Sequence, residues 1–249
     1  MEGYDLAFLR ESLGERLFYS EELGSTNEEA LRKGREGALA GSVFLAQRQI
    51  AGRGRRGATW FCAEDAGLAF TLLLRPSFER ALWPRLSLVA GLAVAQSIES
   101  TGLFPEIKWP NDVLISGRKV CGILVEAEGD FVAVGIGLNV GKAILPDELR
   151  DRASSLAEEG GQGATREEHL LMITERMASL QNRIVGDFSS VLVEVRTRCG
   201  LAGKEIEFLE GQNKRSGICE GIGEGGDLLV REEGRLKRYL TADEIRVMT

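Results

Sequence analysis

Residues 119–139 read KVCGILVEAEGDFVAVGIGLN, and this stretch predicts two consecutive strands of a buried sheet. Val120 to Glu126 and Phe131 to Leu138 are apolar or small at nearly every position, and a Gly-Asp pair lies between them. Apolar side chains at both parities indicate strands that are covered on both faces. Such a sheet needs helices packed against it, so the stretch favours a mixed α/β fold.

The flanking sequence supplies those helices and further strands. Helices are predicted at Tyr4–Leu13, Glu28–Arg35, Trp83–Ser100, Thr165–Ile184 and Phe188–Arg198. Strands are predicted at Arg16–Ser20, Val43–Gln47, Gly67–Leu74 and Glu106–Trp109, and residues 141–164 are predicted to be loop. Capping-box spacing occurs three times, in the pairs Ser25/Glu28, Thr26/Glu29 and Thr165/Glu168.

The sequence pattern changes after Gly203. Short strand-like segments there alternate with glycine-rich turns: Glu205–Leu209, Ser216–Gly221, Leu228–Arg231 and Leu236–Leu240. This pattern is typical of a small β-barrel. We therefore expect a larger domain over residues 1–200 and a small barrel over residues 201–249, with the boundary at Gly200–Gly203.

The composition excludes several functional classes. The 249 residues carry a net charge of −7, which argues against a dedicated DNA-binding protein. His169 is the only histidine, so a Ser-His-Asp triad or a His-ligated metal site is not expected. The four cysteines form no CxxC pair, which predicts free buried thiols. We find no signal peptide and no stretch of roughly 20 apolar residues, and expect a cytoplasmic protein with no membrane partner.

Residues 52–57 read GRGRRG, in contrast to the acidic balance of the whole chain. Glycine lets the backbone approach a ligand closely, and arginine offers planar donors to phosphate and carboxylate oxygens. We interpret the segment as a mobile basic loop, with little reason to fold onto itself, that closes over an anion. The glycines match a dinucleotide fingerprint only weakly, because no amphipathic helix begins after Gly57. A solvated surface loop is the remaining alternative.

Polar side chains also cluster at predicted strand ends. Residues 108–112 read KWPND, and the Asn-Asp pair falls in a predicted turn that could either bind a ligand or satisfy its own backbone. Lys119 is predicted on the same side of its strand as Cys121 and Ile123, where it would need an anionic partner or would have to reach solvent.

Two other segments have the same double interpretation. Gly135 and Gly137 precede Asn139, and glycine within a strand often marks the close approach of a ligand or another backbone. Ser25, Thr26 and Asn27 either cap a helix or line a neutral polar pocket.

Taken in order, these segments resemble the biotin–protein ligase family. The resemblance is carried by Ser25-Thr26-Asn27, Gln49 with GRGRRG, Trp60, KWPND, Arg118-Lys119-x-x-Gly122-Ile123-Leu124-x-Glu126 and Gly135-x-Gly137-x-Asn139. It is dense over about residues 18–140 and concerns only the layout of residues 141–249. It implies an α+β fold: a mixed α/β catalytic domain like that of class II aminoacyl-tRNA synthetases, followed by a small SH3-like β-barrel.

The resemblance implies a two-step reaction. The carboxylate of biotin attacks the α-phosphate of ATP, with Mg²⁺ bound to the triphosphate, and biotinyl-5′-AMP and pyrophosphate result. A lysine of a biotin carboxyl carrier protein then takes the biotinyl group and releases AMP. This is the activity of a biotin–[biotin carboxyl carrier protein] ligase.

The resemblance also assigns roles to individual residues. Catalytic roles are implied for Lys119, Arg55 and Asp112. Biotin binding is implied for Ser25, Thr26, Asn27, Gln49, Arg53, Gly54, Arg55, Lys119 and Gly122. Nucleotide binding is implied for Arg53, Arg55, Arg56, Trp60, Lys108, Asn111 and Asn139. No metal site made by the protein alone is expected.

Two rival functions stay open at the level of sequence. A lipoate ligase or octanoyl transferase shares the architecture, although a glycine-triplet loop ending in histidine is missing and Cys121 lies in an apolar strand. A non-enzymatic nucleic-acid-binding module is the alternative from another class. Only 24 residues precede Ser25, so we expect no operator-binding domain and no DNA partner. A homodimer through the catalytic sheet is left open.

Overall fold

A computed structural model describes residues 3–63, 65–142 and 146–248 of the chain. Its helices are α1 (Leu6–Leu13), α2 (Thr26–Arg35), α3 (Arg85–Glu99), α4 (Arg166–Gln181), α5 (Arg183–Gly186) and α6 (Phe188–Thr197). The first seven strands are β1 (Leu17–Leu23), β2 (Val43–Gln49), β3 (Gly67–Leu74), β4 (Glu106–Lys108), β5 (Asp112–Ile115), β6 (Arg118–Glu128) and β7 (Phe131–Asn139). The last five are β8 (Glu205–Glu210), β9 (Asn213–Ile222), β10 (Leu228–Glu232), β11 (Arg235–Tyr239) and β12 (Asp243–Val247).

The first seven strands form one mixed sheet in the order β1-β2-β3-β7-β6-β5-β4. Only β1 and β2 run parallel, and every other neighbouring pair is antiparallel. The predicted strands of residues 119–139 are β6 and β7, which pair from Cys121 and Leu138 to Glu128 and Phe131 at the centre of the sheet. The mixed α/β prediction is therefore confirmed.

Helices cover both faces of this sheet, as the apolar strands require. On one face, α3 and α4 bury the large side chains of the central strands, including Leu68, Phe70 and Ile136. On the opposite face, α2 packs on a smaller cluster made by Phe44, Leu73 and Phe131. The polar residues Asn27 and Thr71 are also buried on this second face. The α2 face therefore combines a small apolar cluster with a polar surface.

Two local predictions proved wrong. Asp112 does not lie in a turn, because β5 begins there and pairs with β4 and β6. Ser25 occupies the N-cap position of α2 without a capping bond from its side chain. The side-chain oxygen of Gln49 instead accepts from the amide of Thr26 at 2.8 Å, so a residue from β2 satisfies the start of the helix. The Thr165/Glu168 capping box of α4, in contrast, is present as predicted.

A β-bulge near the start of β6 corrects the predicted direction of Lys119. Val113 pairs with Cys121, whereas the next residue, Leu114, pairs with Lys119. The extra residue in β6 shifts the alternation of side chains between the two faces. Lys119 therefore lies on the face of Gly122, and Cys121 is buried on the opposite face.

The last five strands form a separate antiparallel sheet in the order β11-β10-β9-β8-β12. Its size and strand pattern fit a small SH3-like domain. Among the described residues the pairing order has two ends, so no closed barrel is formed. The sequence predicted four of these strands and missed β12. The indole nitrogen of Trp109 donates to the carbonyl of Gly226 at 2.8 Å, which joins this sheet to the first.

The described helices include none with the length and apolar character that a membrane crossing requires. The four cysteines are free thiols, as predicted; Cys121 and Cys219 are buried, whereas Cys62 and Cys199 are only partly buried.

His169 generates a prediction for the pH dependence of stability. It is fully buried in α4, with Nδ1 2.6 Å from Ser97 Oγ on α3, and burial lowers its pKa from 6.5 to about 4. Between these two values the unfolded chain binds a proton that the native protein does not, so stability falls as pH decreases. We expect His169 to account for a loss of about 2 kcal/mol in the free energy of unfolding between pH 7 and pH 5.

Urea unfolding of the native protein and of His169→Gln across this range checks the prediction. The variant, which cannot titrate, should lose correspondingly less stability. Equal pH dependence in the two proteins would show that His169 does not titrate as described.

Candidate active site

One cleft of about 680 Å³ lies on the α2 face of the large sheet. The residues predicted from the sequence line it with one exception, Asn139. They are Ser25, Thr26, Asn27, Gln49, Arg53, Gly54, Arg55, Arg56, Trp60, Lys108, Asn111, Asp112, Lys119 and Gly122. Residues far apart in the chain are therefore brought to one surface.

Glycines on β6 and β7 form the floor of the cleft. A Cβ on Gly135 would overlap the side chain of Asn27, and one on Gly137 would overlap the indole of Trp60. A Cβ on Gly122 would lie 2.8 Å from the Trp60 ring and 3.1 Å from Nζ of Lys119. These positions lack side chains because other side chains of the site occupy the space, whereas the sequence predicted the approach of a ligand or another backbone.

A chain of neutral hydrogen bonds forms one end of the cleft. The hydroxyl of Thr26 donates to Oε1 of Gln49 at 3.1 Å, and the hydroxyl of Thr71 donates to Oδ1 of Asn27 at 2.6 Å. The Thr26 and Thr71 hydroxyl oxygens are 2.9 Å apart, so the single hydroxyl hydrogen of Thr71 can be donated either to Asn27 or to Thr26. Ser25 lies beside them and is buried. This end of the cleft is polar but carries no charge of its own.

Glu126 connects the neutral pocket to the arginine segment. Its Oε2 accepts a hydrogen bond from the side-chain Nδ2 of Asn27, and its Oε1 accepts one from the guanidinium of Arg53, both at 2.9 Å. Arg53 also pairs with Glu28 at 3.4 Å. One carboxylate on β6 thus orients a polar side chain from α2 and a cation from the loop.

The GRGRRG segment folds onto itself, contrary to the prediction. Gly54 N donates to Ala58 O at 2.7 Å, and Trp60 N donates to Gly52 O at 2.9 Å. Arg53 and Thr59 form an antiparallel bridge, so residues 52–60 make a narrow hairpin-like turn. We call these residues the arginine loop. The loop extends over the cleft and carries Arg53, Arg55 and Arg56 along its lining.

Lys119 has its anionic partner within the protein. Its Nζ lies 2.6 Å from Oδ1 of Asp112 and 5.3 Å from the centre of the Trp60 ring. The ion pair and the cation–π contact hold the ammonium group above Gly122. The anionic partner that the sequence predicted for Lys119 is therefore present as a carboxylate of the protein itself.

The opposite end of the cleft is cationic. Burial lowers the pKa of Lys108, and Asp112 opposes this shift. Three neighbouring cations lower the pKa further: Lys119, Arg152 and Arg246. A bound anion would relieve the repulsion among these groups.

Asn111 and Asn139 occupy different positions. Asn111 lines the cleft, where its Oδ1 is 3.4 Å from the guanidinium of Arg55 and its Nδ2 donates to the carbonyl of Ile123 at 2.9 Å. Asn139 is only 6% exposed and donates to the carbonyl of Ser154 at 2.9 Å, behind the wall of the cleft.

Sequence reasoning missed several residues of the cleft. Arg152 comes from the predicted loop 141–164, and Asp243 and Arg246 come from the undetected strand β12. Thr71 and Glu126 do not line the cleft but hold Asn27, which does; Thr71 is hidden in an apolar strand, and no role was predicted for Glu126. Only Glu126 carried a sequence signal, because a charged residue interrupts the apolar run of β6.

Comparison with known proteins agrees with this arrangement. A family model described as the Biotin/lipoate A/B protein ligase family matches residues 23–142. The bifunctional ligase/repressor BirA of Bacillus subtilis (strain 168) is 38% identical to the chain, over 94% of this chain and 74% of its own length. The biotin–[acetyl-CoA-carboxylase] ligase of Paracoccus denitrificans is 36% identical, over 83% of this chain and 90% of its own length.

The chain belongs to the biotin protein ligase family. The structure of the biotin protein ligase from Aquifex aeolicus in complex with biotin and ATP superposes with a TM-score of 0.84 and 33% identity. This alignment covers 94% of the present chain and all of the other. The family predicted from the ordered motifs is confirmed, and so is its fold.

Glu126 generates a prediction about this biotin protein ligase family member. Glu126→Gln should lower the free energy of unfolding by about 1–2 kcal/mol, because a glutamine can accept from Asn27 or from Arg53 but not from both through its single oxygen. Glu128→Gln is the matched control on the same strand. Glu128 pairs with Arg35 at 2.8 Å in an exposed position, so its loss should cost less than about 0.5 kcal/mol.

Chemical denaturation of both variants at pH 7 makes the comparison. Equal stability of the two variants would contradict the bridging role of Glu126.

Proposed function

We propose that this protein activates biotin with ATP and transfers the biotinyl group to a lysine of a biotin carboxyl carrier protein. The observation that carries the proposal is the combination of a neutral polar pocket and a set of cations in one cleft. Biotin has the same two parts, because its ureido ring is neutral and polar and its tail ends in a carboxylate. Membership of the biotin protein ligase family supports the same substrate.

We assign the ureido ring to the neutral end of the cleft. Ser25, Thr26 and Gln49 supply donors and acceptors there, and Asn27 is fixed by Thr71 and Glu126. A pocket whose polar groups are already oriented loses little entropy when it binds a ring of matching pattern. The biotin carboxylate would then extend toward Lys119, Arg53 and the backbone of Gly54.

The first step is in-line displacement at phosphorus. A carboxylate oxygen of biotin attacks the α-phosphorus of ATP, the bond to the bridging oxygen breaks, and pyrophosphate leaves. Negative charge accumulates on the phosphoryl oxygens, and Lys119, Arg53 and Arg55 would stabilise it. Lys119 is suited to this role because its ammonium group is already held by Asp112 and Trp60.

The nucleotide would occupy the cationic part of the cleft. Arg56, Lys108 and Asn111 line it, and the indole nitrogen of Trp60 is a buried donor without a partner among the described residues. Asn139 would support this end indirectly, since it holds the backbone of Ser154 beside Arg152.

Mg²⁺ fits this cleft as an ion that arrives with the triphosphate. The part of the chain that the structure describes contains no group of three or more side chains that could hold a metal ion. Asp112 is a carboxylate of the cleft that could add a ligand to a nucleotide-bound ion. When bound, Mg²⁺ would neutralise part of the charge of the triphosphate.

The second step transfers the acyl group. A lysine amine has a pKa near 10.4, so only about one in a few thousand is neutral at pH 7. Asp112 could receive the incoming amine and accept its proton as nitrogen attacks the acyl carbon. The bond from the acyl carbon to the phosphate oxygen breaks, and AMP leaves. A cysteine-bound intermediate is not required, and burial raises the pKa of Cys121 well above its usual range.

The test is the exchange of labelled pyrophosphate into ATP, which reports the first step without a carrier. Biotin should support exchange, and lipoate or octanoate should not. Exchange with lipoate alone would assign the protein to the other branch of its family. No exchange with any acid would contradict the proposal and favour a binding function.

Lys119 generates a prediction within this assay. Lys119→Ala should reduce biotin-dependent exchange by about 10²–10³-fold, because a fixed cation beside the reacting phosphate is lost. Arg118→Gln is the matched control, since Arg118 is the adjacent cation on β6 and pairs with Glu159 at 2.6 Å outside the cleft. Cys121→Ser should also retain exchange and transfer. Normal exchange in Lys119→Ala would refute the role of this lysine.

A further inference from the structure

Asp243 joins the second sheet to the arginine loop. Its carboxylate lies 3.2 Å from the guanidinium of Arg55 through Oδ1 and 2.5 Å from that of Arg56 through Oδ2. The side chain is only 9% exposed, whereas those of Arg55 and Arg56 are 32% and 54% exposed. One buried carboxylate at the start of β12 thus contacts two neighbouring arginines of a loop that is nearly 190 residues earlier in the chain.

The backbone on both sides of this contact adopts an uncommon conformation. Arg56 has φ of 52° and Glu244 has φ of 49°, in the left-handed region that non-glycine residues rarely adopt. The register of β12 against β8 also shifts between Asp243 and Arg246. Such conformations cost free energy and persist where surrounding contacts maintain them. The Asp243 contact with Arg55 and Arg56 is the interaction that both distorted segments share.

The charges around Arg55 and Arg56 explain what the contact with Asp243 does. Lys108, Arg152 and Arg246 also line the cleft, and its other carboxylates, Asp112 and Glu244, are paired with Lys119 and Arg246. Without a carboxylate beside them, Arg55 and Arg56 would be repelled from this surface before any anionic substrate had bound. With Asp243 in place, the loop lies over the cleft before the substrate arrives.

We propose that Asp243 is a positioning residue that anchors the arginine loop over the cleft through Arg55 and Arg56. By this contact the C-terminal sheet keeps the loop closed and slows the escape of biotinyl-5′-AMP between the two chemical steps. The role in retention rests on the function proposed above, whereas the anchoring of the loop does not. Asp243 acts through the arginines and does not need to touch the substrate.

The anchoring is tested on the protein without any ligand. Trypsin cleaves after arginine, so the rate of cleavage within residues 53–56 reports the opening of the arginine loop. Asp243→Asn should raise this rate at least about fivefold, because an amide cannot form the two ion pairs. Glu232→Gln is the matched control, since Glu232 is also a 9%-exposed carboxylate of the C-terminal sheet, pairs with Lys237 at 2.7 Å and lies outside the cleft.

The control Glu232→Gln should be cleaved at the same rate as the native protein. Equal cleavage of the native protein and Asp243→Asn would overturn the anchor, and so would equal acceleration in both variants, which would indicate general loss of stability.

Retention is tested separately by the dissociation of purified biotinyl-5′-AMP. Asp243→Asn should release it at least about fivefold faster and should raise the KM for ATP more than it changes kcat. In an Arg55→Gln/Arg56→Gln background the same substitution should have no further effect, because its partners are gone. Unchanged or slower release, or a full additional effect in that background, would overturn the positioning role.

The two failures can be distinguished. A native protein that binds no biotinyl-5′-AMP would contradict the proposed function, while the trypsin result would still decide whether Asp243 anchors the loop.

Discussion

The site depends on a fixed carboxylate beside each of its principal cations. Glu126 on β6 holds Arg53, Asp112 on β5 holds Lys119, and Asp243 on β12 holds Arg55 and Arg56. An isolated cluster of cations would repel itself and open. Pairing lets an acidic chain build a cleft whose positive groups are already oriented, so little reorganisation remains when negative charge develops on a substrate.

Local chemistry made much of the fold predictable. The strand Gly67–Leu74 begins and ends where its apolar run does, and the capping box at Thr165 marks the start of α4. Gly135 and Gly137 were expected to mark the approach of a ligand or another backbone, and the groups that approach them are the side chains of Asn27 and Trp60. The strand and the capping box depend on neighbouring residues, which a sequence displays directly. Nearly all the site residues predicted from the ordered motifs lie in one cleft.

The errors arose where distant segments decide the local structure. Gln49 from β2 replaces the predicted cap of α2, and a bulge paired with β5 turns Lys119 to the other face of β6. Asp243 could not be found, because its partners are nearly 190 residues away and its strand is short and charged. Periodicity and motif spacing carry no information about such pairings. The domain boundary near residue 200 stays a prediction.

The central claim is that these cations converge on one acyl–nucleotide linkage. A crystal structure of the protein with a non-hydrolysable analogue of biotinyl-5′-AMP tests it most directly. We expect the ring of the analogue beside Thr26 and Gln49, and its linkage oxygens within about 3 Å of Lys119 Nζ and the guanidinium of Arg53 or Arg55. An analogue bound outside this cleft, or bound within it with its linkage remote from these cations, would contradict the convergence.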